Sequence, residues 1–388
     1  MLPKPPPRES SLGFLYIPPY RIVGTSIAGE ATAFHLPELD LGFDMGVCPR
    51  PMLTSKFVAV SHGHMDHIGA LAYYCSQRHF QGMGTGNIIC DARTAPAIRK
   101  MMEGYVDLER QQTPYNIIPL EPEGLVEVKN NIFVRAFAVE HTVPTFGYVV
   151  VERRSKLRPD LIGLPQEKLM ELKERGEQIT RTLEIPLIAY LMDTGPGPHM
   201  VREDVRKAQV IISECTFFEP EHKERARIGM HLHLNDVVEW IRVLECQKLV
   251  LGHVSRRTNM LFAREELQKR IPRDKLAKIE IMNDHKYNKA RYEQQQMDAG
   301  EHPTQLMGRP GFGGGRPGGR PGGGGGGGFR GGPPGAGGPA GGGGGFGAPR
   351  PSRALGGPPP RTRMFGPRGP GGGGAPPAPP APKPPSAA

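Results

Sequence analysis

The sequence has few cysteines and no long apolar run, and each absence narrows what the chain can be. Its five cysteines are odd in number and include no CxxC pair. This argues against a disulfide framework and indicates a reducing compartment. No stretch approaches the ~20 apolar residues of a membrane-spanning helix, and residues 1–7 lack the apolar core of a signal peptide. We therefore expect a cytoplasmic protein with no membrane partner.

Large apolar side chains are also scarce from about residue 301 onward, where Gly, Pro and Ala dominate. Such a segment cannot bury enough apolar surface to offset the entropy of ordering it. We expect a disordered tail at 301–388, a Pro-containing N-terminal extension at 1–19 and one large folded domain at 20–300. A body of about 300 residues is long enough to form a large hydrophobic core.

The net charge of +10 belongs almost entirely to the tail. Residues 301–388 contain nine arginines, one lysine and one acid, which leaves 39 basic and 38 acidic residues in the first 300. The tail also carries phenylalanines among its arginines, for example in Phe329-Arg330-Gly331-Gly332. This pattern is typical of segments that bind RNA by phosphate attraction and stacking. The alternative is a flexible extension without a specific partner.

One short segment, Ser61-His62-Gly63-His64-Met65-Asp66-His67, concentrates potential metal ligands. It follows the apolar segment 57–60, which reads as a buried strand, and it precedes apolar residues at helical spacing. Three imidazoles and one carboxylate on such a turn would be costly to bury without a cation. These ligand types suit zinc, with manganese or iron as alternatives.

Apolar, strand-like segments alternate with helical patterns through the body, which indicates an α/β layered fold. Several of the predicted strands are followed directly by a candidate ligand or acid. These are Glu140 and His141 after 132–139, Asp193 after 187–192, Glu214 after 210–213 and His253 after 249–251. Because strand ends of α/β sheets commonly hold ligand sites, we expect these residues to meet the histidine loop. A strand at 21–31 and a charged surface excursion at 153–182, with a helix near 167–175, are also predicted.

The order of the candidate ligands resembles that of the metallo-β-lactamase-fold hydrolases. This resemblance covers roughly residues 20–290 and implies an αββα sandwich that binds two divalent metal ions. It implies that His62, His64 and His141 hold one ion, that Asp66, His67 and His253 hold the other, and that Asp193 bridges them. Asp44 would match a supporting aspartate of the family. Two such ions can promote phosphodiester cleavage, and Asp66 would also orient or deprotonate the nucleophile.

Three further features resemble the RNase Z group, whose members are endoribonucleases that process transfer-RNA precursors at the 3′ side. Glu214-Cys215-Thr216-Phe217 is similar to the Glu-Ala-Thr-Phe segment of that group, and His231 matches its extra histidine, 22 residues before His253. The resemblance implies that Glu214 orients His231, which protonates the departing ribose oxygen. His233 is the alternative proton donor. In the segment that resembles His-x-Ser-x-Arg, Ser255 and Arg257 would contact phosphate.

Two departures from the RNase Z pattern bear on substrate capture. Leu232-His233 stands where the group has Ser-Thr, and the excursion at 153–182 lacks the Gly-rich tip of the arm that clamps transfer RNA in the group. We expect a zinc-dependent endoribonuclease that acts on precursor transfer RNA, with the tail supplying RNA affinity. The resemblance also suggests a homodimer.

Two other interpretations remain open. The first is another hydrolase of the same fold, acting on a cyclic nucleotide, a thioester or a lactone. The second is an RNA-binding protein with a degenerate hydrolase body, against which the complete ligand set argues. Glu214, His231, Ser255 and Arg257 favour phosphodiester cleavage over thioester cleavage.

Overall fold

The computed structural model describes residues 2–4 and 12–301, which contain two mixed β-sheets of seven strands each. The first sheet has the strand order β1 to β7: Gly13–Ile17, Tyr20–Ile27, Ala31–Leu36, Leu41–Phe43, Phe57–Ala59, Gly86–Asp91 and Tyr115–Leu120. The second has the order β8 to β14: Leu125–Lys129, Ile132–Val139, Thr145–Leu157, Thr180–Leu191, Val210–Glu214, Lys248–Gly252 and Ile279–Ile281.

Helices connect many of the strands, in particular those that pair in parallel. In chain order they are α1 to α10: Met65–Ile68, Leu71–Phe80, Ala95–Glu109, Gln166–Glu174, Glu203–Arg206, Lys223–Gly229, Leu234–Trp240, Met260–Arg270, Arg273–Leu276 and His285–Asp298. No helix among these described segments is long and apolar enough to cross a membrane.

Three apolar clusters separate four layers of structure. The central cluster lies between the sheets and includes Phe43 and Tyr190, whose rings stack at 4.4 Å between centroids. A second cluster packs α2 and α3 against the first sheet. The third packs α5, α7 and α8 against the second sheet and contains the buried Trp240 of α7. The protein is therefore an αββα sandwich, as predicted.

The strand directions bring the predicted ligands to one edge. β12 pairs in parallel with both β11 and β13, while β10 pairs antiparallel with β9 and β11. Consequently β9, β11, β12 and β13 all run the same way, and their carboxyl ends share an edge of the second sheet. All five residues of β12 are buried because sheet and helix cover both of its faces, which explains its continuous apolar sequence.

The structure divides the predicted strand at 21–31 into two. β2 ends at Ile27 and β3 begins at Ala31, and Gly29 occupies the hairpin tip with a φ of 70°. Apolar residues continue through both strands, so the only sequence signal of the turn is Gly29, which tolerates a left-handed backbone conformation. The structure also places β1 within the predicted extension at 1–19. Leu15 and Ile17 of this strand are buried in the central cluster, so this part of the extension belongs to the folded domain.

The excursion at 153–182 leaves the sandwich as a β-ribbon. β10 and β11 stay paired out to Leu157 and Thr180, and α4, Gln166–Glu174, lies between them close to the predicted helix. Most of its side chains are exposed, so its many charged residues remain in contact with solvent. The predicted tail at 301–388 lies outside the described residues apart from Glu301, as do residues 1 and 5–11 of the predicted extension.

Candidate metal centre

The histidine loop lies between β5 and α1, on the strand-to-helix turn that the sequence predicts. Asp44, which follows β4, fixes this turn from below. Its carboxylate accepts hydrogen bonds from the backbone N–H of Ser61 at 2.7 Å, from His67 Nδ1 at 2.8 Å and from the hydroxyl of Tyr190 at 2.6 Å. Asp44 is completely buried, so its oxygens are occupied by these donors and it supports the loop without facing the cluster.

The predicted ligands form two groups whose donor atoms lie within 4.8 Å of one another. The first group contains His62, His64, His141 and Asp193, and the second contains Asp66, His67 and His253. In the first, His62 Nε2 lies 2.9 Å from His64 Nδ1. In the second, Asp66 Oδ2 lies 3.5 Å from His67 Nε2 and 3.4 Å from His253 Nε2. All seven sequence-predicted metal ligands thus come together.

Asp193 lies between the two groups. Its Oδ2 atom is 3.9 Å from His62 Nε2, 3.4 Å from His67 Nε2 and 3.1 Å from His253 Nε2. One carboxylate oxygen is therefore close to histidines of both groups, which is the placement that a bridging ligand requires. The position follows from β11, which ends at Leu191 and delivers Asp193 to the shared sheet edge.

The donor atoms fit a bound cation. Within the described part of the chain, His67 Nε2 and Asp193 Oδ1 are buried and have no hydrogen-bond partner. Because Asp44 occupies Nδ1 of His67, the Nε2 atom is the one presented to the cluster. Buried polar atoms of this kind are costly unless something satisfies them, and a divalent metal accepts both nitrogen and oxygen ligands.

The electrostatics of the cluster agree with this fit. Burial, reinforced by neighbouring histidines such as His67, lowers the pKa of His62 to about 2 and leaves its imidazole neutral. Burial also opposes charge on His67, but Asp193 and Asp44 outweigh it and raise the pKa of His67 well above its usual value. A proton on His67 balances these carboxylates, and a metal cation at the cluster would supply the same balance.

Glu214 and His231 form a pair beside the cluster. Glu214 Oε1 accepts a hydrogen bond from His231 Nδ1 at 3.0 Å, and the same carboxylate accepts from Thr194 N at 2.6 Å and Leu232 N at 3.1 Å. Burial alone would lower the pKa of His231, but the charge and hydrogen bond of Glu214 raise it to about 9. The buried carboxylate therefore orients His231 and keeps it protonated at neutral pH.

The structure distinguishes His231 from the alternative donor, His233. His233 is the N-cap of α7, where its Nδ1 accepts from Asn235 N and its Nε2 donates to the carbonyl of Glu219 at 3.1 Å. Both ring nitrogens are thus used in the fold. His231 instead lies near the ligands, with its ring centroid 5.1 Å from that of His141 and 5.3 Å from that of His253.

Thr216 is a functional residue to which sequence reasoning assigned no role. Its hydroxyl donates to Glu214 Oε2 at 2.6 Å, so its oxygen can accept from His253 Nδ1 at 3.0 Å. This fixes the tautomer of His253 in which Nε2 carries the lone pair. Similarly, the backbone N–H of Gly29 donates to Asp66 Oδ2 at 2.9 Å. The contact between Gly29 and Asp66 could not be predicted from the residue types, because it depends on how the hairpin between β2 and β3 is placed.

A cavity of about 390 Å³ opens beside His231 and His253, and Ser255 and Arg257 both line it. Arg256 lines it as well but is ion-paired with Glu30. Arg257 is exposed, and no carboxylate in the described ranges forms an ion pair with it. The two predicted phosphate-binding residues therefore face the same space as His231.

Comparisons with known proteins agree with this geometry. The family model described as "Beta-lactamase superfamily domain" matches residues 49–254, a range that contains every predicted metal ligand. The chloroplastic tRNase Z TRZ2 of Arabidopsis thaliana is 30% identical over 254 residues, which cover 64% of this chain and 72% of that protein. The tRNase Z TRZ1 of the same plant is 31% identical over 242 residues, covering 61% and 86%.

A more distant likeness is found among solved structures. The metallo-beta-lactamase fold protein YhfI from Bacillus subtilis is 13% identical, with 71% of this chain and 97% of that chain covered and a TM-score of 0.49. The family assignment rests on the family model, which spans more than half of the chain, and on the two plant relatives. By these matches the chain belongs to the beta-lactamase superfamily and, within it, to the tRNase Z-like hydrolases.

Proposed function

We propose that this protein is a two-metal phosphodiesterase, with zinc as its metal, that cleaves transfer-RNA precursors at the 3′ side. The observation that carries the proposal is the Glu214–His231 pair, held at 3.0 Å beside the ligand cluster. Cleavage of a phosphodiester expels a ribose oxygen, a poor leaving group unless it receives a proton. The relatives that match over most of their length are named as tRNase Z enzymes, which supports this substrate class.

The seven ligands would hold two divalent ions, His62, His64 and His141 with the first, Asp66, His67 and His253 with the second, and Asp193 with both. When bound, such ions supply hydroxide at neutral pH and stabilise charge on phosphate oxygens. The remaining tasks belong to side chains.

Three tasks follow from the positions of the other groups. His231 donates a proton to the departing oxygen, while Glu214 accepts the Nδ1–H and stabilises the cationic ring. Asp66, whose Oδ2 is fixed by Gly29, accepts a hydrogen bond from the attacking water. Ser255 and Arg257 bind the phosphate from the cavity wall.

The charge of the cavity favours a phosphodiester over a thioester. Three arginines and one acid line it, and the acid, Glu30, is already paired with Arg256. Arg257, beside Ser255, therefore remains to balance the scissile phosphate of an anionic substrate. A neutral thioester or lactone would gain little from this cation.

One experiment tests the proposal against its alternatives. The purified protein is incubated with a precursor transfer RNA, a cyclic nucleotide and a thioester, each with and without a chelator. We expect chelator-sensitive cleavage of the precursor at its 3′ side. Cleavage restricted to the small substrates would identify another hydrolase of the same fold, and the absence of metal-dependent turnover would indicate an RNA-binding protein.

RNA capture, assembly and location are further parts of the proposal. We infer that the arginine-rich tail binds RNA and so assists a body whose excursion lacks the Gly-rich tip of the RNase Z arm. We also propose a homodimer and a cytoplasmic location. Gel filtration with light scattering and fractionation of cells that express the protein test these two points.

A further inference from the structure

Phe217 and Arg225 line the cavity beside His231 but have no task in the proposed reaction. The half-buried ring of Phe217 lies 6.2 Å, between centroids, from the ring of His231. The guanidinium carbon of Arg225 lies over the same ring, 5.5 Å from its centroid. An aromatic face and a cation thus stand together next to the proton donor.

The charge of Arg225 is not neutralised by its surroundings, so it is available beside the Phe217 ring. On the same short helix, α6, Glu224 pairs with Arg227 at 2.6 Å. No carboxylate within residues 2–4 and 12–301 forms an ion pair with Arg225, which is exposed at the cavity. The proposed reaction assigns Arg257 and Ser255 to the scissile phosphate, which leaves the unpaired Arg225 over the Phe217 ring available to a separate group of the substrate.

We propose that Phe217 and Arg225 form a nucleotide subsite, in which the base of the nucleotide carrying the departing ribose oxygen stacks. This inference rests on the proposed function and identifies which part of the RNA substrate Phe217 and Arg225 bind. The nucleotide is placed there because His231, which protonates its oxygen, is the direct neighbour of Phe217. Stacking accepts every base because each has a π face, so the subsite selects an unpaired nucleotide and not a particular sequence.

The test compares three substrates that differ in what they offer the subsite. The first is a precursor transfer RNA, the second is the same RNA with an abasic residue at the nucleotide that precedes the cleaved bond, and the third is bis(p-nitrophenyl) phosphate. Arg225→Ala should lower kcat/KM about tenfold on the first substrate, a loss expected for one stacked base. It should change the second less than about twofold, since the abasic residue has no base to stack, while bis(p-nitrophenyl) phosphate, whose leaving group is itself aromatic, serves only to show that the metal site is active.

Matched variants separate stacking from charge and from helix stability. Arg227→Ala, on the same helix but paired with Glu224, should leave all three rates unchanged. Arg225→Lys keeps the charge without the planar guanidinium and should recover only part of the loss on the base-bearing RNA. An equal loss on the abasic RNA, or no loss on the normal RNA, would overturn the subsite. Hydrolysis of bis(p-nitrophenyl) phosphate without any RNA cleavage by the unmodified protein would instead overturn the proposed function.

Discussion

His231 donates its Nδ1–H to Glu214 across 3.0 Å, and the accepting carboxylate is completely buried. Three further donors, the backbone N–H groups of Thr194 and Leu232 and the hydroxyl of Thr216, hold the same carboxylate. Glu214 is thus fixed in position before any substrate binds. The proposed reaction gives the opposite nitrogen of His231 the role of proton donor at the edge of the ligand cluster.

Replacing His231 with alanine should separate catalysis from metal binding. We expect His231→Ala to retain the metal, because the seven predicted ligands do not include it, although its ring also lies within 4.8 Å of ligand atoms of Asp193 and His253. Turnover should fall about 10²- to 10⁴-fold, the usual effect of removing a general acid. Metal content is measured on the same samples as kcat/KM. His79→Ala, at an exposed histidine of α2, is the control, and loss of metal from His231→Ala would assign this histidine to the ligand set.

The pH dependence of cleavage should report the influence of Glu214 on His231. Burial opposes the charge of His231, but Glu214 raises its pKa to about 9, so activity should fall as the pH rises through that region. Glu214→Gln removes the anion and should move the falling limb of kcat/KM to lower pH by about one unit or more. A limb that does not move would show that another group sets it.

The raised pKa of His231 also makes the stability of the fold depend on pH. Because the pKa of His231 is higher in the folded chain than the usual value for histidine, the pair stabilises the fold fully below that usual value. This contribution is lost as the pH rises through about 9. In Glu214→Gln the loss should be absent from a series of chemical unfolding curves.

Replacing Asp193 should remove metal from both groups, since its Oδ2 atom lies near His62, His67 and His253. We expect Asp193→Ala to bind little metal, whereas His64→Ala should lose metal only from the first group. Metal bound only to the folded state raises the melting temperature. A chelator should therefore lower the melting temperature of the unmodified protein and leave that of Asp193→Ala unchanged. Two metals retained by Asp193→Ala would contradict the bridging position.

The parts of this site that could be predicted from sequence are those with a local signal. The histidine loop places its ligands within one turn, Asp193 and His253 each follow an apolar strand, and Glu214 ends one. Since strands of one direction end at one sheet edge, local order was enough to bring these residues together.

The remaining features depend on contacts between distant segments. Thr216 gains its role from its distance to His253, and Asp66 is fixed by the backbone of Gly29, 37 residues away in sequence. β1 escaped prediction because a five-residue strand preceding two prolines has little periodic signal of its own. Neither tertiary hydrogen bonds nor a cavity wall leaves a periodic pattern in the chain.

Replacing Arg257 should lower activity much more than replacing the adjacent Arg256. Arg256 is engaged by Glu30, whereas Arg257 lines the cavity without a carboxylate partner in the described segments. Arg257→Ala should lower kcat/KM for a phosphodiester about tenfold or more, because a charged hydrogen bond to phosphate is lost. Arg256→Ala should change it little. Equal losses in the two variants would mean that Glu30 releases Arg256 when substrate binds.

Deleting residues 301–388 should weaken RNA binding and reduce its salt dependence without affecting the chemical step. The tail contributes nine arginines and one lysine but none of the predicted metal ligands, while the body is close to neutral. Each phosphate neutralised by a tail cation releases a counterion, so the slope of log K against log salt should become shallower by about 0.7 per lost contact. Hydrolysis of bis(p-nitrophenyl) phosphate should stay unchanged because this small substrate reaches the site without the tail. An RNA affinity and a salt slope that both remain unchanged after deletion would show that the tail does not bind RNA, and would leave RNA capture to the body and its β10–β11 ribbon.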